Sequence, residues 1–283
     1  MLSIVIPAYN EECGIGQTLD ELKSVLASQA MTYEIIVVDD ASTDQTAHIA
    51  RQKGVQLISH KKNRGYGASI KTGVRKAMHE TILITDADGT YPAKAIPEIM
   101  EQMKEADMVV GARVGKQVSI PLIRRPAKWF ITKLANMLSN AKIPDLNSGL
   151  RAMKKELFHQ FIRVLPDGFS LTTTITIALH SSHYRVQYIP ISYLKRQGKS
   201  KIRPIQDTLN FILLILRTIL LFYPLKIFFP VSVCLFFSAI FIFFYSVFFL
   251  PFVLDITAVV LLTASVQILA IGMIADLINK RLN

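Results

Sequence analysis

Short apolar runs alternate with longer segments of helical spacing over the first two thirds of the chain. Runs rich in Ile and Val that end at Pro, Asp or Gly predict buried strands. Five such runs occupy 2–7, 33–38, 55–59, 81–85 and 107–111. Apolar positions three and four residues apart predict helices at 11–28, from the cap at 42–44 to about 53, from the loop 63–67 through 78, and at 93–105. Strands that alternate with helices predict an α/β fold with a doubly wound, mostly parallel sheet.

The pattern is less regular after 111. It predicts a helix at 120–141, a loop at 145–151 that enters a strand, helices at 154–162 and 171–180, and a strand at 185–193. Two uncharged stretches, 227–254 and 256–275, close the chain, and each exceeds the roughly 20 residues that span a bilayer. We therefore expect a globular domain at 1–203, an amphipathic helix in the membrane interface at 204–225, and a two-helix transmembrane anchor at 226–283.

Charge distribution indicates how the chain meets the membrane. The net charge is +11, and the stretch 168–206 has basic residues but no Asp or Glu. A basic segment beside a membrane anchor favours anionic lipid at the cytoplasmic face, and the absence of a nucleic-acid-binding motif disfavours nucleic acid as a partner. Lys or Arg flanks both uncharged stretches on their outer sides but is missing from the connection near 251–255. This asymmetry predicts a multi-pass protein of the cytoplasmic membrane with both termini and the globular domain in the cytoplasm.

Acidic residues follow the predicted strands, at their carboxyl ends. Asp86 and Asp88 come directly after the strand at 81–85, Asp39 and Asp40 follow the second strand, and Glu11 follows the first. In open α/β sheets ligands bind at these ends. Two carboxylates there suit Mg²⁺ or Mn²⁺ shared with ligand phosphates, although such residues can also cap helices. The joint pattern favours a metal–phosphate site.

Weaker signals accompany this site. The glycines of 65–67 can let backbone N–H groups approach a phosphate or can simply form a turn. The segment 195–201 is a lipid-facing anchor or a clamp on an anionic substrate. The six histidines do not have the spacing of a zinc site.

Six motifs resemble one known family in the right order over about 2–203. They are Ile6-Pro7-Ala8-Tyr9-Asn10-Glu11, Val37-Val38-Asp39-Asp40-Ala41-Ser42-Thr43-Asp44, Asp86-Ala87-Asp88, Gly111-Ala112-Arg113, Asp145 with Ser148-Gly149-Leu150-Arg151, and Arg196-Gln197-Gly198-Lys199-Ser200-Lys201. The chain resembles membrane-bound family 2 glycosyltransferases of GT-A fold, specifically the dolichyl- and undecaprenyl-phosphate glycosyltransferases. The two C-terminal stretches are similar to those of the bacterial members.

The resemblance implies roles for individual residues. The nucleoside pocket would be lined by Pro7, Tyr9, Glu11 and Asp40. Asp86 and Asp88 would serve the ribose, diphosphate and metal, with Asp88 the principal ligand. Arg113 and the pair Arg124 and Arg125 would hold phosphates of the donor or the acceptor. The residues expected to close over the lipid phosphate are Lys195, Arg196, Ser200 and Lys201. Many relatives carry a Gln two residues after the second Asp, where this chain has Thr90.

The implied function is inverting transfer of a hexose from a UDP- or GDP-sugar to a polyprenyl phosphate. A lipid monophosphate is already anionic, so its attack needs no general base. Three alternatives remain open: transfer to another lipid, transfer to a growing polysaccharide, and a non-catalytic membrane-tethered protein that binds nucleotide sugars. Trp129 does not stand in the Gln-x-x-Arg-Trp element of polysaccharide synthases. A homo-oligomer is compatible with all of these readings.

Overall fold

A mixed α/β sheet forms the first of two units in the computed structural model, which describes residues 1–29, 31–114, 142–194, 220 and 223–282. The strands are β1 Leu2–Ala8, β2 Tyr33–Asp39, β3 Gln56–Ser59, β4 Thr81–Ile84, β5 Met108–Ala112, β6 Arg151–Lys154 and β7 Val186–Pro190. Their order across the sheet is β3-β2-β1-β4-β6-β5-β7. The predicted strands all exist, with bounds within a few residues of the expected ones.

Helices cover the sheet. They are α1 Ile15–Ala27, α2 Thr46–Gln52, α3 Tyr66–Lys76, α4 Ile96–Gln102, α5 Lys155–Phe161 and α6 Leu171–Ser181, with a 3₁₀ turn Ala93–Ala95 before α4. The helix expected from 11 begins at Ile15 instead, because 11–14 form a turn at the end of β1. The helix expected at 93–105 is shorter and begins as a 3₁₀ turn, with Pro97 in the first turn of its α-helical part. Proline is well suited to that position because its missing N–H has no partner there in any helix.

Strand direction explains where the ligand-binding edge lies. β1 is parallel to β2 and β4, β2 to β3, and β5 to β7, whereas β6 runs antiparallel to both β4 and β5. All of β1 is buried, and Ile4 and Ile6 are fully so. Burial of such side chains contributes about 2–3 kcal/mol each and fixes the central strands. The carboxyl ends of β1, β2 and β4 therefore meet on one rigid edge, together with the start of β6.

The second unit contains a helical hairpin. It consists of α7 Pro224–Phe249 and α8 Asp255–Leu282. Pro224–Phe249 and Asp255–Ile278 could cross a membrane by length and composition, with mean hydropathies of 2.6 and 2.3. The Ser265 hydroxyl donates to the Ser232 carbonyl oxygen across the helix pair at 2.9 Å. Most of the phenylalanines of α7 are exposed, as expected of side chains that face lipid. The predicted helices at 120–141 and 204–225 lie outside the described residues, apart from parts of the second one.

Candidate active site

The turn 86–88 follows β4 and holds two carboxylates in different settings. Asp88 is 5% exposed, and its Oδ1 accepts hydrogen bonds from the backbone N–H of Thr90 at 3.1 Å and from the Thr90 hydroxyl at 2.6 Å. Asp88 is thus held in place by Thr90. The side chain of Thr90 is small, and its hydroxyl orients the Asp88 carboxylate by donating a hydrogen bond to it.

Asp86 is half-buried and contacts two other elements. The hydroxyl of Tyr66, the first residue of α3, donates to Asp86 Oδ1 at 2.9 Å. Gly149 lies so close that a Cβ there would stand 2.7 Å from both Asp86 carboxylate oxygens and would displace the Asp86 side chain. The Gly149 N–H in turn donates to the Tyr91 hydroxyl at 2.6 Å. Burial, followed by the negative charge of Asp86, raises the pKa of Tyr66, which keeps the phenol protonated as a donor.

Arg151 is a cation enclosed beneath this edge. It is 0% exposed, and its guanidinium donates to the carbonyl oxygens of Ser148 and Thr172 and to the hydroxyl of Thr176. The ion pairs of the described residues do not include it. Burial lowers the pKa of Arg151, yet its guanidinium remains charged at any physiological pH because arginine starts so high. It therefore supplies positive potential below the site.

The loops after β1 and β2 are joined by side-chain hydrogen bonds. The Asn10 N–H donates to the Ser42 hydroxyl at 2.9 Å, and the Glu11 N–H donates to the Thr46 hydroxyl at 2.8 Å. The Thr43 N–H donates to Asn10 Oδ1 at 2.8 Å. Two loops far apart in sequence thus form one rigid wall. The predicted nucleoside residues Pro7, Tyr9 and Glu11 belong to it, Pro7 buried and the other two half-buried.

Asp40 lies beside this wall and holds the start of α3. Its Oδ1 accepts the Arg64 N–H at 2.9 Å and pairs with His60 Nδ1 at 2.7 Å, and its Oδ2 accepts the Gly65 N–H at 2.8 Å. His60 Nε2 also contacts the Thr72 hydroxyl at 3.0 Å. The structure thus gives Asp40 a role in loop architecture that the sequence did not indicate, while its predicted contact with a nucleoside stays a prediction.

Arg113 forms a bidentate ion pair with Asp145. The guanidinium Nε and Nη2 lie 2.6 and 2.9 Å from Asp145 Oδ2 and Oδ1, and the Arg113 N–H donates to Oδ2 as well. Burial opposes ionisation of Asp145, but the hydrogen bonds and charge of Arg113 outweigh it and lower the pKa of the carboxyl. The same contacts raise the pKa of Arg113 against the opposing effect of its own burial. Nη1 takes no part in this pair, so it could bind a ligand phosphate without breaking it.

The segment after β7 is hydrogen-bonded to the loop that follows β4. The Leu194 N–H donates to the Thr90 carbonyl oxygen at 3.0 Å, and the Tyr193 ring lies edge-on to Tyr91 with centroids 5.5 Å apart. Arg113 sits over the Tyr193 ring at 5.2 Å. The chain therefore enters the basic segment 195–201 from a fixed point beside Asp88.

Six of the predicted phosphate- or acceptor-binding residues lie outside the described part of the chain. They are Arg124, Arg125, Lys195, Arg196, Ser200 and Lys201. In the sequence, Tyr66 is only part of a weak turn signal at 65–67, and Arg151 is only part of a motif that carries the family resemblance. Tyr66 reaches Asp86 from α3, and Arg151 reaches Thr172 and Thr176 of α6, which are contacts between distant segments that no local pattern reveals.

The carboxylates fit a divalent cation that is shared with a ligand. Within the described ranges no group of three or more His, Cys, Asp or Glu side chains forms a metal cage. Mg²⁺ and Mn²⁺ often use one or two carboxylates and complete their shell with substrate phosphates and water. Asp86 and Asp88, which accept hydrogen bonds from hydroxyl groups at the carboxyl end of β4, match that donor set.

Comparison with known proteins gives family matches over both units. Residues 3–162 match the model of glycosyl transferase family 2, and residues 223–280 match that of the GtrB C-terminal hairpin. A dolichyl-phosphate hexose transferase of Haloferax volcanii is 30% identical over 72% of this chain and 87% of its own length. A dolichol-phosphate mannosyltransferase of Pyrococcus furiosus is 29% identical over 71% of this chain and 59% of its own length.

Solved structures agree on the fold. Glucosyl-3-phosphoglycerate synthase from Mycobacterium tuberculosis, solved with Mn²⁺, UDP and glucosyl-3-phosphoglycerate, superposes with a TM-score of 0.61 at 20% identity over 77% of this chain and 79% of that one. This likeness confirms the predicted GT-A arrangement of the mixed sheet. The family model covers more than half of the chain and includes β1 through α5. The chain belongs to glycosyl transferase family 2.

Proposed function

We propose that this protein transfers a hexose from a UDP- or GDP-sugar to a polyprenyl phosphate such as undecaprenyl or dolichyl phosphate, with inversion at the anomeric carbon. The observation that carries the proposal is the Asp86–Asp88 turn, fixed at the carboxyl end of β4, in a chain that also carries an apolar helical hairpin. The relatives named for transfer to dolichyl phosphate support this acceptor class.

The donor would lie along the edge formed by β1, β2 and β4. Its nucleoside would rest against Pro7, Tyr9, Glu11 and Asp40, and its diphosphate would meet Asp86 and Asp88. These two carboxylates would hold Mg²⁺ or Mn²⁺, which when bound neutralises charge on the departing nucleoside diphosphate. The crystal structures of the related synthase with Mn²⁺ or Mg²⁺ and UDP support this assignment.

The acceptor would approach from the basic side. Arg113 would offer Nη1 to a phosphate while Asp145 holds the guanidinium in place. The other groups proposed to bind the lipid phosphate are Arg124, Arg125, Lys195, Arg196, Ser200 and Lys201. A phosphate monoester is an anion at neutral pH, so its oxygen attacks the anomeric carbon without losing a proton to the protein. Direct displacement of the diphosphate then inverts that centre.

Location follows from the same proposal. The hairpin would anchor the enzyme in the cytoplasmic membrane with both termini inside, and the basic segment would face anionic lipid. The polyprenyl phosphate head group would then meet the enzyme at the surface of the bilayer, where cytoplasmic nucleotide sugars are available. The proposed division is a catalytic domain at 1–203, an interfacial helix at 204–225 and the anchor at 226–283.

The test is a transfer assay on the full chain in detergent. Purified protein, undecaprenyl phosphate and Mn²⁺ are combined with UDP- and GDP-sugars one at a time, and glycolipid is followed by mass spectrometry. We expect one donor to give a hexosyl phospholipid, with loss of product on addition of EDTA and in Asp88→Asn. Unchanged transfer by Asp88→Asn would contradict the metal assignment, and failure of every donor would contradict the proposed reaction.

A further inference from the structure

An aromatic pair lies beside Asp86, and neither of its residues has a role predicted from the sequence motifs. The rings of Tyr66 and Phe169 are stacked, with centroids 5.3 Å apart and planes 22° from parallel. Tyr66 opens α3 and donates its hydroxyl to Asp86, while Phe169 lies in the loop between α5 and α6. We call Tyr66 and Phe169 the aromatic shelf. It connects an exposed ring to a carboxylate of the candidate active site through one hydrogen bond.

The loop that carries Phe169 is firmly held. The Ala68 N–H donates to the Asp167 carbonyl oxygen at 3.0 Å, and Lys71 Nζ lies 2.7 Å from Asp167 Oδ1. Lys71 also donates to the Leu165 carbonyl oxygen. Phe169 is nevertheless 77% exposed, because only one face of its ring packs on Tyr66. A large apolar ring on a fixed loop beside a binding edge is typical of ligand contact rather than core packing.

Position along the site indicates which part of a ligand the shelf meets. Asp40, on the nucleoside side, binds the N–H of Gly65, the residue just before Tyr66. Phe169, by contrast, lies two residues before the start of α6. In that helix the Thr173 hydroxyl donates to Asn147 Oδ1 at 2.6 Å. A nucleotide sugar with its nucleoside at β1 and β2 and its diphosphate at Asp86 would extend its sugar toward α6 and Phe169.

The chemistry of a hexose suits this ring. A pyranose presents C–H groups on at least part of one face, and those hydrogens carry partial positive charge. The face of a phenyl ring is negative, so the two surfaces attract each other beyond the gain from apolar burial. A phenylalanine ring has no hydrogen-bonding group and would select for the C–H face of the sugar while leaving its hydroxyls to other partners.

We propose that the aromatic shelf is the wall of the donor-sugar subsite, in which Tyr66 is a positioning residue for Asp86 and the outer face of Phe169 contacts the C–H face of the transferred sugar. This inference rests on the proposed function, because it takes the ligand at Asp86 to be a nucleotide sugar. Substitution of Phe169 and substitution of Tyr66 should cause different defects. Both defects can be measured as ligand affinity as well as turnover.

Phe169→Ala tests the sugar contact. Calorimetry on the full chain with Mn²⁺ compares the sugar nucleotide that supports glycolipid formation with its own nucleoside diphosphate, for example UDP-glucose with UDP or GDP-mannose with GDP. In the pair that the wild type binds, we expect the sugar nucleotide to lose about five- to tenfold in affinity while the nucleoside diphosphate changes less than about twofold. Phe169→Trp should retain sugar-nucleotide affinity. Equal weakening of both ligands, or of neither, would overturn the sugar contact.

Tyr66→Phe tests the positioning role, since it removes one hydroxyl and keeps the stacked ring. We expect Mn²⁺-dependent binding of the nucleoside diphosphate to weaken about tenfold and KM for the donor to rise with it. Tyr184→Phe is the matched control, because the Tyr184 hydroxyl donates to Gln160 at 2.9 Å on an exposed surface. Gly149→Ala should reproduce the loss by crowding Asp86 from the other side.

Failure of this inference is separable from failure of the proposed function. If the wild type makes no glycolipid with any UDP- or GDP-sugar, the proposed function fails, and the inference about the aromatic shelf fails with it. If the wild type forms glycolipid but Tyr66→Phe and Gly149→Ala bind nucleoside diphosphate as the wild type does, only the positioning role is overturned. Unaltered melting temperatures exclude misfolding as the cause of any loss.

Discussion

Arg113 and Asp145 form a two-point ion pair in which Nε–Oδ2 and Nη2–Oδ1 are 2.6 and 2.9 Å apart. Asp145 is almost fully buried, and the Arg113 backbone N–H adds a third hydrogen bond to it. The pair joins the end of β5 to the loop before β6. A residue that we expected to bind phosphate is therefore first a structural link between two segments of the site.

Breaking this pair should cost stability. Arg113→Gln leaves the Asp145 carboxylate buried without its cation, which we expect to lower the free energy of unfolding by about 2–4 kcal/mol. Thermal unfolding of the full chain in detergent measures the change. Lys154→Met removes a more exposed pair, with Asp107 at 2.7 Å, and should cost less than about 1 kcal/mol. Equal losses in the two variants would contradict the importance of burial.

The stability that the Arg113–Asp145 pair contributes should depend on pH in one direction. The folded-state pKa of Asp145 lies below its ordinary value of 3.8, because the contacts with Arg113 outweigh burial. The contribution is therefore complete above that value and is lost as the pH falls through the lower folded pKa. We expect the melting temperature of Asp145→Asn to lie below that of the wild type by a constant difference from about pH 8 to about pH 5. Below about pH 4 the two melting temperatures should approach each other. A margin that disappears near neutral pH would contradict this cause.

Thr90 should matter through its hydroxyl. Thr90→Val keeps the shape but removes the 2.6 Å donor to Asp88 Oδ1 and leaves that carboxylate less well oriented. We expect the Mn²⁺ concentration for half-maximal transfer to rise about tenfold in Thr90→Val and to stay near the wild-type value in Thr90→Ser. Metal titration of glycolipid formation provides the measurement. A Thr90→Ser variant as impaired as Thr90→Val would argue for the methyl group instead.

Close packing within the hairpin depends on Gly272. A Cβ at this position would stand 2.5 Å from the Phe228 Cβ on α7. We expect Gly272→Leu to force the helices apart and lower the melting temperature in detergent, because helix pairs in membranes rely on close packing of small residues. Ile271→Leu, on an exposed position of the same turn, is the control and should change little. Thermal unfolding in detergent, followed by light scattering, would measure the stability of both variants.

Much of the fold follows from local patterns. Apolar runs such as Leu2–Ala8 and the helical spacing of Ile15, Leu19, Leu22 and Leu26 predict elements that the structure contains. The hairpin follows from two uncharged stretches. The antiparallel direction of β6 could not be predicted, since it depends on pairing of Arg151–Lys154 with strands far away in sequence.

The acidic residues of the site could be predicted from the sequence, but the residues that hold them in place could not. Asp86 and Asp88 are indicated by their place after a buried strand. Their partners Tyr66, Thr90 and Gly149 come from three different segments, and only the folded sheet brings Tyr66 and Gly149 to Asp86. Sequence spacing carries no information about such contacts between segments.

The most direct measurement is a comparison of acceptors. The full chain, Mn²⁺ and the active donor are supplied with undecaprenyl phosphate in one reaction and with undecaprenol in another, and products are identified by mass spectrometry. Our account predicts a hexosyl phospholipid in the first reaction and no product in the second, because only the phosphate is an anionic nucleophile without help from a base. Sugar attached to the alcohol, or equal transfer to both lipids, would contradict it.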